Sequence, residues 1–313
     1  MSLQAMLMYP KHYPPAAKEF WEREFAQWRA PATDAEERKI NHTLTEVREA
    51  IDANQALRGV LRPAAQGSFH NNTNVPGESD VDVRLMYTGR FIYNVQPTNF
   101  QRPNPLGFGQ YIGPSDSELK AEILSSLWNH FGRDKVEYDG KCFEIHANQR
   151  RVDADIILAY PYYYFQPAPN ETITLGTKKT EGILFYNGTE EVINYPEQHH
   201  ELGKAKNVDT GRRYKAVVRA LKTFNLEMTT PLKSFFVEGL VFNFENAHFQ
   251  SASIYEDVQN VCNKILRLFQ NPHAESTWTE PNGIKPLFAG EGRTVQDAAL
   301  LAYYAKQRME QTS

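Results

Sequence analysis

Apolar positions recur at helical spacing in some stretches of this chain and at every second residue in others. Phe20, Trp21, Phe25 and Trp28 give the segment from Pro14 to Trp28 one aromatic helical face, closed by Pro31. A second, longer helix, capped by Thr33 or Asp34, runs to about Asn54 with Ile40, Leu44, Val47 and Ile51 as its apolar stripe. At Asp80 the period changes to two: Val81, Val83 and Leu85 alternate with Asp80, Asp82 and Arg84, the pattern of a strand with one dry and one charged side. Helical spacing returns over Asp116 to Phe131, and strands are expected over Lys141 to His146 and Arg150 to Tyr160. The aromatic run Tyr162 to Phe165 is read as packing rather than base stacking. Asn187-Gly188, between Gly182–Tyr186 and Glu191–Tyr195, is a hairpin signal. Beyond it the pattern is helical, with helices expected near 210–228, 234–246, 251–270 and 294–309, the last opened by Thr294 and Asp297 as a cap pair.

Strands mixed with helices, followed by helices alone, predict two lobes in one module. Residues 1–180 form an α/β lobe with N-terminal helices, and residues 181–313 form a mainly helical lobe. The length of 313 residues and the 41% apolar content suffice for both cores. The Pro-, Gly-, Asn- and Gln-rich stretch from Thr88 to Pro114 reads as a long loop. No window approaches the roughly eighteen uninterrupted apolar residues of a membrane helix, and no signal-peptide pattern opens the chain. The two cysteines, Cys142 and Cys262, make neither a disulfide framework nor a metal spacing, so a reducing, cytoplasmic location is expected. The formal charge of −4 provides no overall field for nucleic acid, so no long nucleic acid is expected as a partner.

Candidate chemistry concentrates between Gln66 and Leu85. Gly67 lets backbone approach a phosphate closely, and Ser68 places a hydroxyl beside it. The alternation sets the carboxylates of Asp80 and Asp82 on one strand face, about 7 Å apart. Like charges this close repel unless a cation lies between them, and hard oxygen donors combined with phosphate oxygens suit Mg²⁺. A lone Asp-x-Asp is usually only a polar strand face. Gly-Ser followed by Asp-x-Asp after eleven residues is much rarer and reads as a site for a metal-bound nucleoside triphosphate, needing a third carboxylate from another strand. Arg151-Val152-Asp153-Ala154-Asp155-Ile156-Ile157-Leu158-Ala159-Tyr160 supplies one. Periodicity puts Asp153 and Asp155 on the same face and does not choose between them.

Gly-Ser, Asp-x-Asp and an Asp in an apolar strand together resemble the nucleotidyltransferase superfamily of DNA polymerase β. The later segment is similar to the bacterial cGAS/DncV-like nucleotidyltransferases (CD-NTases), which make cyclic oligonucleotide signals. It runs from Tyr195-Pro196-Glu197-Gln198-His199 through Lys206-Asn207, Thr210, Tyr214-Lys215 and Lys222. The resemblance covers roughly residues 40–245. It implies an α+β, bilobal nucleotidyltransferase fold: a mixed β-sheet catalytic lobe with a long spine helix, a helical second lobe, and the active site in the cleft. It favours Asp155 as third acid, because Asp155 precedes the short apolar run; Leu158 stands where the family commonly has Pro. Asp80, Asp82 and Asp155 are then the catalytic residues and the ligands of two Mg²⁺ ions, with Mn²⁺ able to substitute. Gln66, Gly67, Ser68 and Ser79 are expected to bind nucleotide.

On the helix from Thr210, Lys215, Arg219 and Lys222 form a basic stripe, and the family's triphosphate-contacting lysine corresponds to Lys222. Ser234 opens the next helix as a cap or a phosphate ligand, and Phe235 stands where the family commonly stacks a Tyr on a base. His199 and His200 are read as making local hydrogen bonds rather than binding metal. The animal DNA-sensing relative's zinc loop has no counterpart here.

The expected function is metal-dependent condensation of nucleoside triphosphates into a cyclic di- or trinucleotide, with pyrophosphate release, in bacterial antiphage signalling of the CBASS type. A product-binding effector and regulatory partners are implied by the family. A linear nucleotidyltransferase acting on RNA, protein or a small molecule is the rival enzyme reading. A catalytically silent nucleotide sensor is the rival from another class, and the presence of all three acids argues against it.

Overall fold

Val81, Val83 and Leu85 are fully buried while Asp80 and Asp82 are exposed, so the two-residue period becomes a strand with a dry and a wet side. That strand belongs to a mixed sheet in the computed structural model, which describes residues 15–28, 33–75, 80–95, 110–168, 171–268, 277–290 and 292–311. Among the described residues the sheet has eight strands: β1 (Leu61–Gln66), β2 (Val81–Tyr87), β3 (Ile92–Val95), β4 (Val136–Tyr138), β5 (Phe143–Ile145), β6 (Ala154–Phe165), β7 (Lys179–Asn187) and β8 (Glu190–Asn194). Among the described residues the α-helices are α1 (Pro15–Trp28), α2 (Asp34–Ala53), α3 (Gly67–His70), α4 (Asp116–Phe131), α5 (Pro196–Asp209), α6 (Arg213–Leu226), α7 (Ser234–Phe242), α8 (Ile254–Leu268) and α9 (Val295–Glu310).

The sheet runs β1-β2-β6-β5-β4 and is built around β6. The first half of β6 lies between parallel β2 and antiparallel β5, and its second half between parallel β3 and antiparallel β7, which carries β8. The sequence pattern stops this strand at Tyr160, yet it continues through Pro161 to Phe165. Pro161 falls between the last β2 pair, Met86 with Ala159, and the first β3 pair, Ile92 with Tyr162. One flank of the strand has no partner there, so a missing N–H is tolerated. Tyr162 and Phe165 are buried, in keeping with the packing reading of the aromatic run.

β1 escapes the sequence pattern because Pro63 interrupts it; an end position in the sheet is where a strand accepts proline. β3 lies inside the stretch read as one long loop, of which residues 96–109 are outside the described residues. The hairpin at Asn187-Gly188 forms as expected, with Gly188 at φ +60° and Asn187 opposite Glu190. In the same unit α2 packs on α4, whose Ser126 hydroxyl donates to the Ala50 carbonyl at 2.6 Å. A Ser115–Glu118 capping box opens α4.

The chain divides into a sheet unit, Asp34–Phe69 with Ser79–Glu197, and a helical unit, Met1–Thr33 with His70–Glu78 and Gln198–Ser313. A boundary at 180/181 would cut through β7, and α1 belongs with the helical unit. Its aromatic face is covered by α6, where Phe224 sits 5.3 Å from both Trp21 and Trp28. Buried residues of α6, α7, α8 and α9, among them Leu221, Val237, Val261 and Leu301, complete that core. The Thr294–Asp297 capping box opens α9 as expected. α5 is not legible as an amphipathic helix, because the residues it buries are His199 and Gly203 rather than aliphatics.

Candidate functional site

Strand register assembles the acids. Asp82 pairs with Asp155 across the parallel β2–β6 ladder, and Asp155 pairs with Glu144 across the antiparallel β6–β5 ladder. On the other side Asp82 pairs with Gln66 of β1. In-register residues on adjacent strands share a face at a spacing of about 4.8 Å. Gln66, Asp82, Asp155 and Glu144 therefore stand in a row over four strands, with Asp80 two residues before Asp82 at the same end. Glu144 was not among the expected site residues. Its alternation with buried Phe143 and Ile145 marks it as an outward residue, but only the β5–β6 register shows what it stands beside.

Burial, then Glu144 and then Asp80, push the Asp155 carboxyl above the usual range. The Cys142 thiol and the Glu144 and Asp155 carboxylates lie within 4.8 Å of one another. Burial and the neighbouring Asp155 push the Cys142 thiol up to about 12, so it stays neutral and the useful donors are oxygens. A crowded, self-repelling set of carboxylate oxygens fits a hard divalent cation. Asp153 is engaged differently: its Oδ1 accepts from the Ala147 amide at 2.7 Å, and its carbonyl accepts from the Val81 amide at 3.0 Å.

Gly67 begins α3 with φ +67°, directly after Gln66. The left-handed backbone favours glycine here, and a Cβ at this position would lie 1.9 Å from Asp82 Oδ2 and push that carboxylate aside. Ser68 follows in the same turn, and Ser79 lies outside the described residues.

The remaining expected residues lie in the helical unit. Lys222 is only 1% exposed; its Nζ donates to the Thr73 carbonyl at 2.9 Å and lies 3.7 Å from Glu238. Glu238, 2% exposed, also accepts from Thr73 Oγ1 at 2.6 Å and pairs with His199 at 3.2 Å. The lysine expected on a triphosphate is thus the floor of a buried polar cluster holding Asn71–Thr73, the segment that follows α3. The His199 ring, read from the sequence as making local hydrogen bonds, lies with its Nε2 3.2 Å from Glu238 Oε2. Ser234 is the first residue of α7 rather than its cap, which is Lys233 with no side-chain cap bond. Phe235 is 37% exposed and meets the His199 ring edge-on at 5.1 Å.

Burial alone would raise the Glu238 carboxyl, but His199, Lys222 and Thr73 outweigh it and hold it down to about 2. A carboxyl so depressed contributes stability in full above its ordinary value of 4.5 and loses it as pH falls toward about 2. Glu238→Gln is therefore expected to cost about 3 kcal/mol at neutral pH. Its unfolding free energy should also fall less steeply than the wild type's between these two pH values. Denaturant melts of both proteins across that window check both points; parallel pH profiles would refute the assignment.

The profile of the cGAS/DncV-like nucleotidyltransferase C-terminal helical domain matches residues 201–310. The cyclic dipurine nucleotide synthase of Elizabethkingia meningoseptica is 32% identical, over 89% of this chain and 94% of that one. The cyclic dipyrimidine nucleotide synthase CdnE of Legionella pneumophila is 30% identical, over 86% and 90% respectively. The solved structure of the Elizabethkingia CdnE cyclic dinucleotide synthase with GTP and Apcpp superposes with a TM-score of 0.72 at 30% identity, covering 92% of this chain and 98% of that one.

Proposed function

The chain belongs to the cGAS/DncV-like nucleotidyltransferases, and from that premise we propose that it joins two nucleoside triphosphates into a cyclic dinucleotide acting in antiphage signalling. The observation that carries this reading is the row of Asp82, Asp155 and Glu144, with Asp80 beside it and Gly67 packed against Asp82. In each transfer a ribose hydroxyl attacks the α-phosphorus of a triphosphate and pyrophosphate leaves; the second transfer closes the ring. Asp80, Asp82 and Asp155 would hold divalent metal, for which Mg²⁺ is the choice suited to hard carboxylate and phosphate oxygens. When bound, the metal neutralises developing charge on the attacking and leaving oxygens.

The chain's own residues then position the reactants. The α3 turn offers backbone at Gly67 and the Ser68 hydroxyl to phosphate. Lys222, through Thr73, holds the segment behind that turn, a positioning role. Ser234 and the Phe235 ring are offered to phosphate and base respectively. An effector that reads the product and regulatory partners belong to this reading.

Incubation with all four labelled nucleoside triphosphates and Mg²⁺, followed by phosphatase and mass spectrometry, tests it. A phosphatase-resistant product with the mass of a cyclic dinucleotide is expected. A phosphatase-sensitive product would instead identify a linear transferase. The relatives named above use purines in one case and pyrimidines in the other, so the experiment also assigns the bases.

Phe235 gives a narrower check. Stacking on a base is worth roughly 1–3 kcal/mol by alanine substitution. Phe235→Ala is expected to raise the nucleotide KM by that amount, whereas Phe235→Tyr, which keeps the ring, should stay near wild type. Equal behaviour of the two variants would show that the ring serves packing against His199 instead.

A further inference from the structure

The helical unit holds a cavity of about 940 Å³ whose lining runs from Ala26 and Asn72 to α5, α6 and Ile254. It presents His200, Lys204, Arg212, Arg213, Lys215 and Arg219 and no carboxylate. In a chain of formal charge −4 this is a local reversal of sign. None of the residues assigned to nucleotidyl transfer lines it.

The cations stand at two levels. Lys215 and Arg219, 7% and 6% exposed, donate to the carbonyls of Asn71 at 2.6 Å and Asn72 at 2.7 Å. Burial lowers the Lys215 ammonium and brings the Arg219 guanidinium down to about 10, so both are cations an incoming anion would favour. Arg213 is held by Asp257 at 2.6 Å and by the Ser251 carbonyl at 2.7 Å. Lys204 and Arg212, both exposed, have no acidic partner among the described residues. Arg212 is placed by unusual backbone: Gly211 and Arg212 adopt φ +59° and +67° in succession, and the Arg212 amide donates to the Asn207 carbonyl at 2.6 Å. A non-glycine residue in the left-handed region is uncommon and marks a place where the surroundings dictate the turn.

We propose that this cavity, which none of the catalytic acids lines, binds a small polyphosphate-bearing ligand of nucleoside triphosphate size. Its volume is that of a small-molecule site. Its two deepest cations are accessible only to a group that enters the cavity, which selects a short phosphate chain over the backbone of a nucleic-acid duplex. A recess of positive charge without carboxylates favours several negative charges on one compact ligand. The inference is independent of the nucleotidyl-transfer reading, and absence of product formation would leave it intact.

The test is calorimetric titration of the full chain with inorganic tripolyphosphate in EDTA, repeated on Lys204→Gln combined with Arg212→Asn. Asn accepts the left-handed backbone, and both positions are exposed, so the double variant is expected to fold and to keep nucleotide condensation. The wild type should bind one tripolyphosphate saturably, and the double variant about tenfold or more weakly, since two charged contacts are lost. Lys204→Glu alone, on the exposed side of α5, should weaken binding in the same direction, and Ser234→Ala should leave it unchanged. Undiminished binding in either cavity variant would overturn the proposal. So would binding lost in Ser234→Ala, which would place the tripolyphosphate in the transfer site. Saturable binding of a short DNA duplex with none of tripolyphosphate would overturn it too, making the face a nucleic-acid surface.

Discussion

Asp155→Asn is expected to reduce nucleotide condensation by about 10³-fold or more, while Asp153→Asn retains most of it. The first change removes a carboxylate that pairs in register with Asp82 and whose burial, with Glu144 and Asp80 beside it, already raises its affinity for a proton. Charge stabilisation by a metal held there is worth several kcal/mol in the transition state, and each 1.36 kcal/mol is about tenfold in rate. Asp153 instead spends its side chain on the Ala147 amide. An Asn carbonyl accepts that same hydrogen bond, so the turn and the strand entry survive. Folding should separate the variants in the opposite sense: Asp155→Asn relieves like-charge crowding, and its melting temperature should hold or rise. Single-turnover kinetics with thermal melts decide the matter, and the reverse ranking of activities would move the third acid to Asp153.

Asp80→Asn combined with Asp82→Asn is expected to give a folded protein with no measurable turnover. Isosteric replacement matters because the Asp82 carboxylate lies directly over Gly67, where a Cβ would come to 1.9 Å from Oδ2, so keeping its shape leaves that turn undisturbed. An amide has the same shape, and the double change removes two charges from a cluster that also includes Asp155 and Glu144. A second readout separates metal loss from general damage. A divalent cation that binds only the folded state raises the melting temperature of the wild type. With Mn²⁺ as the probe, that rise should vanish in the double variant while the metal-free melting temperature holds or increases. Substantial residual synthesis, or an undiminished Mn²⁺ shift, would remove these two acids from the metal site.

The residues of this chain determine by themselves whatever depends on neighbours in sequence. Alternation made Asp80, Asp82 and Arg84 one side of a strand, and Asn187-Gly188 made a hairpin. Thr294 with Asp297 opened a helix, and three- and four-residue spacing marked α4 and α6 to α9. Gly67-Ser68 and Asp80-Val81-Asp82 were legible for the same reason, because a glycine turn and a two-carboxylate strand face are local objects. Tertiary structure decided the rest. Only the β5–β6 register sets Glu144 beside Asp155, and only the hydrogen bond to Ala147 distinguishes Asp153 from Asp155. Lys215, Arg219 and Lys222 form one helical stripe in sequence, yet packing turns all three toward the carbonyls of Asn71 to Thr73, far away along the chain. Trp21 and Phe25 predict a buried aromatic face, but not that Phe224 covers it. Period, caps and turns are set within a few residues by backbone geometry. Register and burial are set by which distant surface covers a side chain, and that is decided only when the whole chain has packed.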